Sequence, residues 1–256
     1  LKVLEGESEQ TLSSQFKLFQ ERALPDLGSN IKCGNSLIGS DFYQGASGVL
    51  PMFGEEERLR INVFDWEKEF LRIFSGGTPG FDVVIGNPPY GYMIPENEQH
   101  YYQNKYKYQD YQKDLYLLFL ERYEYLLKQN ALLGVIVSNT WMQSVTFKNI
   151  RKYLSSNYVW LNILRLSEKV FRAVVDTHVL IFKRSERDSF NSYSINIYTR
   201  KDNRIQLSHE VRSDSIQRNG NPINIISTPP EQELIEKIKK KSPLLLSDIC
   251  NVYNGV

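Results

Sequence analysis

The stretch FDVVIGNPPY, residues 81–90, sets a run of branched apolar residues directly before an asparagine, two prolines and a tyrosine. Asn87 carries an amide oxygen that accepts hydrogen bonds, while Pro88 and Pro89 fix φ and remove two backbone donors, leaving the loop's carbonyls as acceptors. A rigid acceptor pair beside the ring of Tyr90 suits a planar amino group, such as the 6-amino group of adenine, which offers two N–H donors. In an open α/β sheet ligands sit beyond the carboxyl ends of the strands, and Asn87 to Tyr90 follow the strand expected over 81–85.

That strand is nearly continuous in Val and Ile, the pattern of a strand buried on both faces of a parallel sheet. Upstream, residues 8–22 carry Leu12, Phe16 and Phe19 near the helical period, and a short strand is expected over 31–33. Residues 34–57 read as a polar inserted loop, and 59–74 as helical. Downstream, 91–112 is polar and tyrosine-rich without clear periodicity. Residues 113–128 place Leu115, Leu118, Phe119, Tyr123 and Leu126 on one helical face. A buried strand over 132–138 and a helix over 147–154 follow. Strands over 158–166 and 177–183 leave no room for a crossover helix between them and must pair antiparallel. The expectation is an α/β fold with a doubly wound, mostly parallel sheet and one antiparallel strand. Beyond residue 185 the composition shifts to Ser, Asn and Arg, with a strand over 193–198 and a helix over 230–241. We read 1–185 as one domain and 186–256 as the start of a second, α+β domain.

The 256 residues are 41% hydrophobic and 12% aromatic, enough to bury a core. The longest apolar run, Ala131 to Val137 interrupted by Gly134, falls far short of the ~20 residues of a membrane span, so no membrane partner is expected. Cys33 and Cys250 stand far apart with no CxxC pair or His cluster, which indicates neither a disulfide framework nor a metal site and fits a reducing cytoplasm. The chain opens at Leu1 without a leader pattern and is expected to be part of a longer polypeptide. Net charge is only +1. Lys148, Arg151, Lys152, Arg165, Lys169 and Arg172 nevertheless face the single acid Glu168 between 146 and 172, a local excess that could bind phosphates. Asp65 and Trp66 are assigned to structure.

The Asn-Pro-Pro-Tyr loop resembles the catalytic loop of amino-group DNA methyltransferases that use S-adenosylmethionine. NIKCGNSLIGSDF (30–42), DLYLLFLERY (114–123), LLGVIVSNTWM (132–142) and SEKVFRAVVDTHVLIFKR (167–184) are similar, in that order, to successive motifs of gamma-class adenine methyltransferases, and especially of fused type IIG restriction-modification enzymes. The resemblance covers roughly residues 1–185, and LLLSDICNVYNGV (244–256) is similar to the start of their target-recognition domain.

The resemblance implies a Rossmann-like methyltransferase fold acting on double-stranded DNA, with S-adenosylmethionine as cofactor. Asn87 and the Pro88 carbonyl would accept from the amino group of a flipped adenine, held between Tyr90 and Phe171. If Phe171 is instead a core residue, Tyr92 and Trp141 are the next candidates for the second wall. Asn35 would face the cofactor's adenine ring and Phe119 would pack against it. The family's glycine-rich cofactor loop precedes residue 1, so the remainder of the polypeptide, with a nuclease domain in type IIG enzymes, is an expected partner. The chain alone is expected to transfer no methyl groups. Protein-glutamine and RNA amino-group methyltransferases use a similar loop, and a non-catalytic DNA-specificity role stands as the third reading.

Overall fold

The computed structural model describes residues 27–44, 54–90, 94–108, 114–166, 176–185, 192–202, 204–216, 219–242 and 244. It forms two compact units, residues 1–70 and 71–256. The helix expected over 8–22 lies outside the described residues.

In the first unit the strand expected over 31–33 is not formed. Ile31 is exposed, and among the described residues of this unit the only extended pairing is a single parallel bridge between Asn35 and Val63, beside the Asn35 N–H to Asn62 carbonyl bond of 2.6 Å. Helix α1 (Glu55–Ile61) stops because Asn62 turns into the left-handed region, φ 48°. A single helical turn, Trp66–Glu69, follows. The helix expected over 59–74 is thus broken at Asn62, whose short polar side chain tolerates that conformation. Asp65 caps the turn, accepting from Lys68 N–H at 3.4 Å and from the Ser40 hydroxyl at 3.2 Å. Trp66 donates its indole N–H to the Ser36 carbonyl at 3.1 Å and stacks on Phe70. Both residues do the structural work expected of them.

The second unit is built on six strands: β1 (Phe81–Gly86), β2 (Leu127–Ser138), β3 (Tyr158–Leu166), β4 (Thr177–Arg184), β5 (Ser194–Lys201) and β6 (Arg204–Arg212). Their order is β1-β2-β4-β3-β5-β6. β1 with β2 and β3 with β5 pair in parallel, while β4 runs against both β2 and β3, and β6 against β5. Four strands therefore share one direction, as expected of a mostly parallel α/β sheet. The expected antiparallel strand is β4, and β6 adds a second reversed strand at the far edge. β5 is hydrogen-bonded to β3, so the division of roles expected at residue 185 is not a break in the sheet.

β1 departs from expectation in one respect: it is not buried on both faces. Val83 is 51% and Ile85 84% exposed, because β1 pairs only with β2 among the described residues and its Val83–Ile85 side is uncovered there. The opposite face carries Leu133, Val135, Val137, Ile163, Leu180 and Phe182, all at most 1% exposed.

Helix α2 (Glu96–Lys105) forms where no periodicity was visible, since it buries only Glu98 and Tyr102. Helix α3 (Leu115–Leu126) buries seven of its twelve residues and runs straight into β2, which begins five residues earlier than its apolar run. Helix α4 (Lys148–Asn157) buries Ile150, Arg151, Tyr153 and Leu154, the i, i+3, i+4 stripe of a packed helix. Glu124 of α3 joins these layers: it pairs with Arg184 of β4 at 2.7 Å and accepts from the Tyr153 hydroxyl of α4 at 2.8 Å. Helix α5 (Pro229–Lys241) opens with a Thr228–Glu231 capping box. No helix among the described residues is long and apolar enough to cross a membrane.

Candidate active site

Because β1, β2 and β3 share a direction, Asn87, Asn139 and the chain leaving Leu166 emerge at one edge of the sheet. Asn87 is exposed there, Pro88 is buried, Pro89 is exposed and Tyr90 is half-buried. The Tyr90 hydroxyl donates to Asn87 Oδ1 at 2.9 Å. That bond fixes the orientation of the amide and leaves the second lone pair of its oxygen available. Partial burial raises the Tyr90 hydroxyl above its ordinary range, so at neutral pH it keeps its proton and remains a donor.

An aromatic stripe on α3 supports this loop. The Tyr90 ring meets Tyr116 edge to face at 6.4 Å. Tyr116 is fully buried, and its hydroxyl shares a hydrogen bond of 3.2 Å with Thr140 Oγ1, which bonds Ser138 Oγ at 2.9 Å. The end of β2 is thereby tied to the base of the loop. Two turns along the helix, Tyr123 lies over Gly86: a Cβ at Gly86 would run into the tyrosine hydroxyl and approach Cζ to 2.8 Å. Glycine is needed before Asn87 because another residue's hydroxyl fills the space. Burial pushes that hydroxyl up to about 12.

Phe119 lies between the two tyrosines on the same stripe, half-buried, its ring 5.8 Å from that of Tyr123. The structure therefore brings Asn87, Pro88, Pro89, Tyr90 and Phe119 into one neighbourhood. Tyr116 and Tyr123 were not singled out as supports; the i, i+3, i+7 spacing of Tyr116, Phe119 and Tyr123 was the available signal. Asn35 sits in the first unit, half-buried, with Oδ1 accepting the Leu37 N–H at 3.1 Å. Phe171, Tyr92, Lys169 and Arg172 lie outside the described residues.

Two expectations are corrected. Trp141 is not a pocket wall: it is completely buried against Trp160, centroids 5.6 Å apart, in the layer between sheet and α4. Arg151 is not a phosphate contact. It is 1% exposed, and its guanidinium donates to the carbonyls of Gly220 (2.8 Å), Trp141 (2.6 Å) and Ser144 (2.5 Å). A buried charge survives because it is fully engaged. Its partner Gly220, φ +82°, passes so close to the Lys148 carbonyl that no side chain fits there. The residues after it stay on the same surface: Ile223 N–H bonds the Met142 carbonyl at 2.8 Å, and Gln143 donates to the Ile223 carbonyl.

That strap borders a cleft of about 130 Å³ at the same sheet edge, lined by Asn139, Met142 and Gln143, by Arg165 and Leu166 of β3, by Asp176 and His178, and by Ile225 and Ile226. His178 is 6% exposed, and its Nδ1 has no hydrogen-bond partner among the described residues. Burial, reinforced by Arg165 and opposed by Asp176, pushes its imidazole down to about 4. Among the described residues no group of His, Cys, Asp and Glu could hold a metal ion.

Residues 10–171, well over half of the chain and including every site residue named above from Asn35 to Phe171, match the Eco57I restriction-modification methylase family. The chain belongs to that family. It is 32% identical over 203 residues to the type II restriction enzyme and methyltransferase RM.Eco57I of Escherichia coli, covering 76% of this chain and 18% of that protein. It is 26% identical over 132 residues to the adenine-specific methyltransferase PglX of Lacticaseibacillus casei, covering 49% of this chain and 11% of the relative. The chain thus spans less than a fifth of either protein. Among solved structures, the type IIG restriction endonuclease BpuSI superposes with a TM-score of 0.37 at 19% identity, over 45% of this chain and 15% of that one.

Proposed function

We propose that the chain is the methyl-transferring part of a restriction-modification enzyme, acting on the 6-amino group of an adenine flipped out of double-stranded DNA. One observation carries this reading: an exposed asparagine amide on a two-proline loop, its oxygen oriented by the Tyr90 hydroxyl, in a chain of the methylase family. The name of the Lacticaseibacillus casei relative supports adenine as the target.

In this reading Asn87 Oδ1 accepts one amino N–H with its second lone pair, and the Pro88 carbonyl accepts the other. Two acceptors on one amino group draw its lone pair out of conjugation with the ring and aim it for transfer. Tyr90 keeps its proton on its own oxygen, so it orients Asn87 and does not act as a base. Its ring takes one face of the flipped base, and base–aromatic stacking worth about 1–3 kcal/mol offsets the few kcal/mol of unstacking. Phe171 takes the other face.

S-Adenosylmethionine, when bound, supplies the methyl group. The residues assigned to it have capacity for it: Phe119 on the loop's own stripe is not fully buried, and the Asn35 oxygen has a lone pair beyond the one serving Leu37. Residues 1–185 take the catalytic role and 186–256 begin the DNA-specifying role, in the cytoplasm where the DNA is.

Incubating the full-length protein with methyl-labelled S-adenosylmethionine and duplex DNA tests the reading. Label is expected in N6-methyladenine. Label in RNA or in protein glutamine, with none in DNA, overturns it.

A further inference from the structure

The cleft between β3, β4 and the 223–226 strap has no role in the reaction just described. It lies beyond the carboxyl edge of the sheet, as Asn87 does, but β4 and β3 are two and three strands away from β1. At about 4.8 Å per strand that sets Asp176 and Arg165 roughly 10–14 Å from β1, out of reach of the base held at Asn87, while Asn139 brings the cleft's near end to β2, the strand beside β1. Its size is also informative. About 130 Å³ is well below the ~300–1,000 Å³ of sites that enclose a whole small molecule, so it admits one flat group.

The lining says which group. Met142, Leu166, Ile225 and Ile226 supply aliphatic walls, which a phosphate does not need and a base ring does. Among the described residues Arg165 is a donor without an ion-pair partner and the buried His178 Nδ1 lacks a hydrogen-bond partner, while Asp176 is an exposed acceptor. A buried polar atom left in that state is costly, and a polar edge entering beside it relieves the cost. A cation and a carboxylate at the mouth of an apolar slot match a base edge that carries both an acceptor and an amino donor. Arginine pairs with guanine O6 and N7, and aspartate accepts from cytosine N4.

We propose that this cleft is a second nucleobase subsite, taking a guanine or cytosine near the methylated adenine and reading its edge through Arg165 and Asp176. The proposal rests on the reading of DNA as substrate. It gives the methylase unit a share of sequence discrimination, with the 220–226 strap, pinned by Arg151, forming one wall.

The test is methylation by the full-length protein of a duplex library randomised around the adenine, compared for wild type, Arg165→Met and Asp176→Ala. Arg165 is half-buried and Asp176 exposed, so neither change removes core volume. At least one variant is expected to lose about ten-fold or more of the wild type's preference at a single G or C position, with the rate on its best sequence retained. An equal loss on every sequence, with a shallower salt dependence of DNA binding, makes Arg165 a phosphate contact and overturns the proposal. Unchanged preferences in both variants overturn it too. If the wild type methylates no duplex, the parent reading falls and the subsite with it, an outcome distinct from the other two.

Discussion

Tyr90 holds Asn87: its hydroxyl donates to the asparagine's Oδ1 at 2.9 Å, while its ring rests edge-on against the buried Tyr116. In the proposed reaction Tyr90 is therefore an orienting residue as well as a stacking face, and the two roles separate by mutation.

Tyr90→Phe keeps the ring and removes the donor. A net hydrogen bond of about 0.5–1.5 kcal/mol translates into a turnover loss of about two- to ten-fold, with DNA affinity little changed. Tyr90→Ala removes the stacking face as well and should weaken capture of the flipped base by about 1–3 kcal/mol more. Fluorescence of 2-aminopurine at the target position reports that capture. Turnover of Tyr90→Phe equal to the wild type's would show that the hydroxyl does nothing, and equal behaviour of the two variants would show that the ring does nothing.

Gly86→Ala forces a methyl group into the Tyr123 hydroxyl. Overpacking of this kind costs about 1–3 kcal/mol, read as a lower denaturation midpoint. Adding Tyr123→Phe removes the nearest clashing atom and should restore part of the loss. If the double variant is no more stable than Gly86→Ala alone, the clash is not what excludes a side chain there.

Arg151→Met removes three bonds to carbonyls from one buried guanidinium. Hydrogen bonds to charged groups contribute about 1.5–3 kcal/mol each, so a stability loss of at least ~3 kcal/mol is expected. The salt dependence of DNA binding should stay as it was. A shallower salt slope with intact stability would return Arg151 to the phosphate-binding role that its charge suggested.

How far the sequence could be read depends on what each residue's neighbours hide. β3 and β4 were legible because branched and aromatic residues run continuously, and α3 and α4 because their apolar residues recur at helical spacing. The place of the Asn87 to Tyr90 loop was legible because it follows directly on the branched apolar run of β1. α2 was not, since ENEQHYYQNK buries two residues and has no apolar stripe. β6 was not, since most of its residues are exposed and its strand character comes from pairing with β5. Arg151 reads as surface charge in any sequence, because carbonyls 7, 10 and 69 residues away decide otherwise. The cleft is assembled from three strand ends and the strap, and no local pattern announces it.

His178 gives the fold a pH signature. Its folded-state imidazole titrates near 4, below the ordinary 6.5. Between those values the unfolded chain binds a proton that the folded one does not, so stability falls as pH drops from about 6.5 to about 4 and levels off below. His178→Gln should flatten this part of the stability–pH curve, measured by urea denaturation at stepped pH. A curve identical to wild type through that window would show that His178 is not buried as a neutral group.

The most direct test of the proposed chemistry is single-turnover methyl transfer to duplex DNA by the full-length protein, wild type against Asn87→Ala. The substitution deletes one acceptor and leaves Pro88, Pro89 and the Tyr90 ring in place. We predict a loss of about 100-fold or more in the transfer rate with nearly unchanged DNA affinity, the signature of an interaction used in the transition state. A transfer rate equal to that of the wild type would contradict the account at its centre.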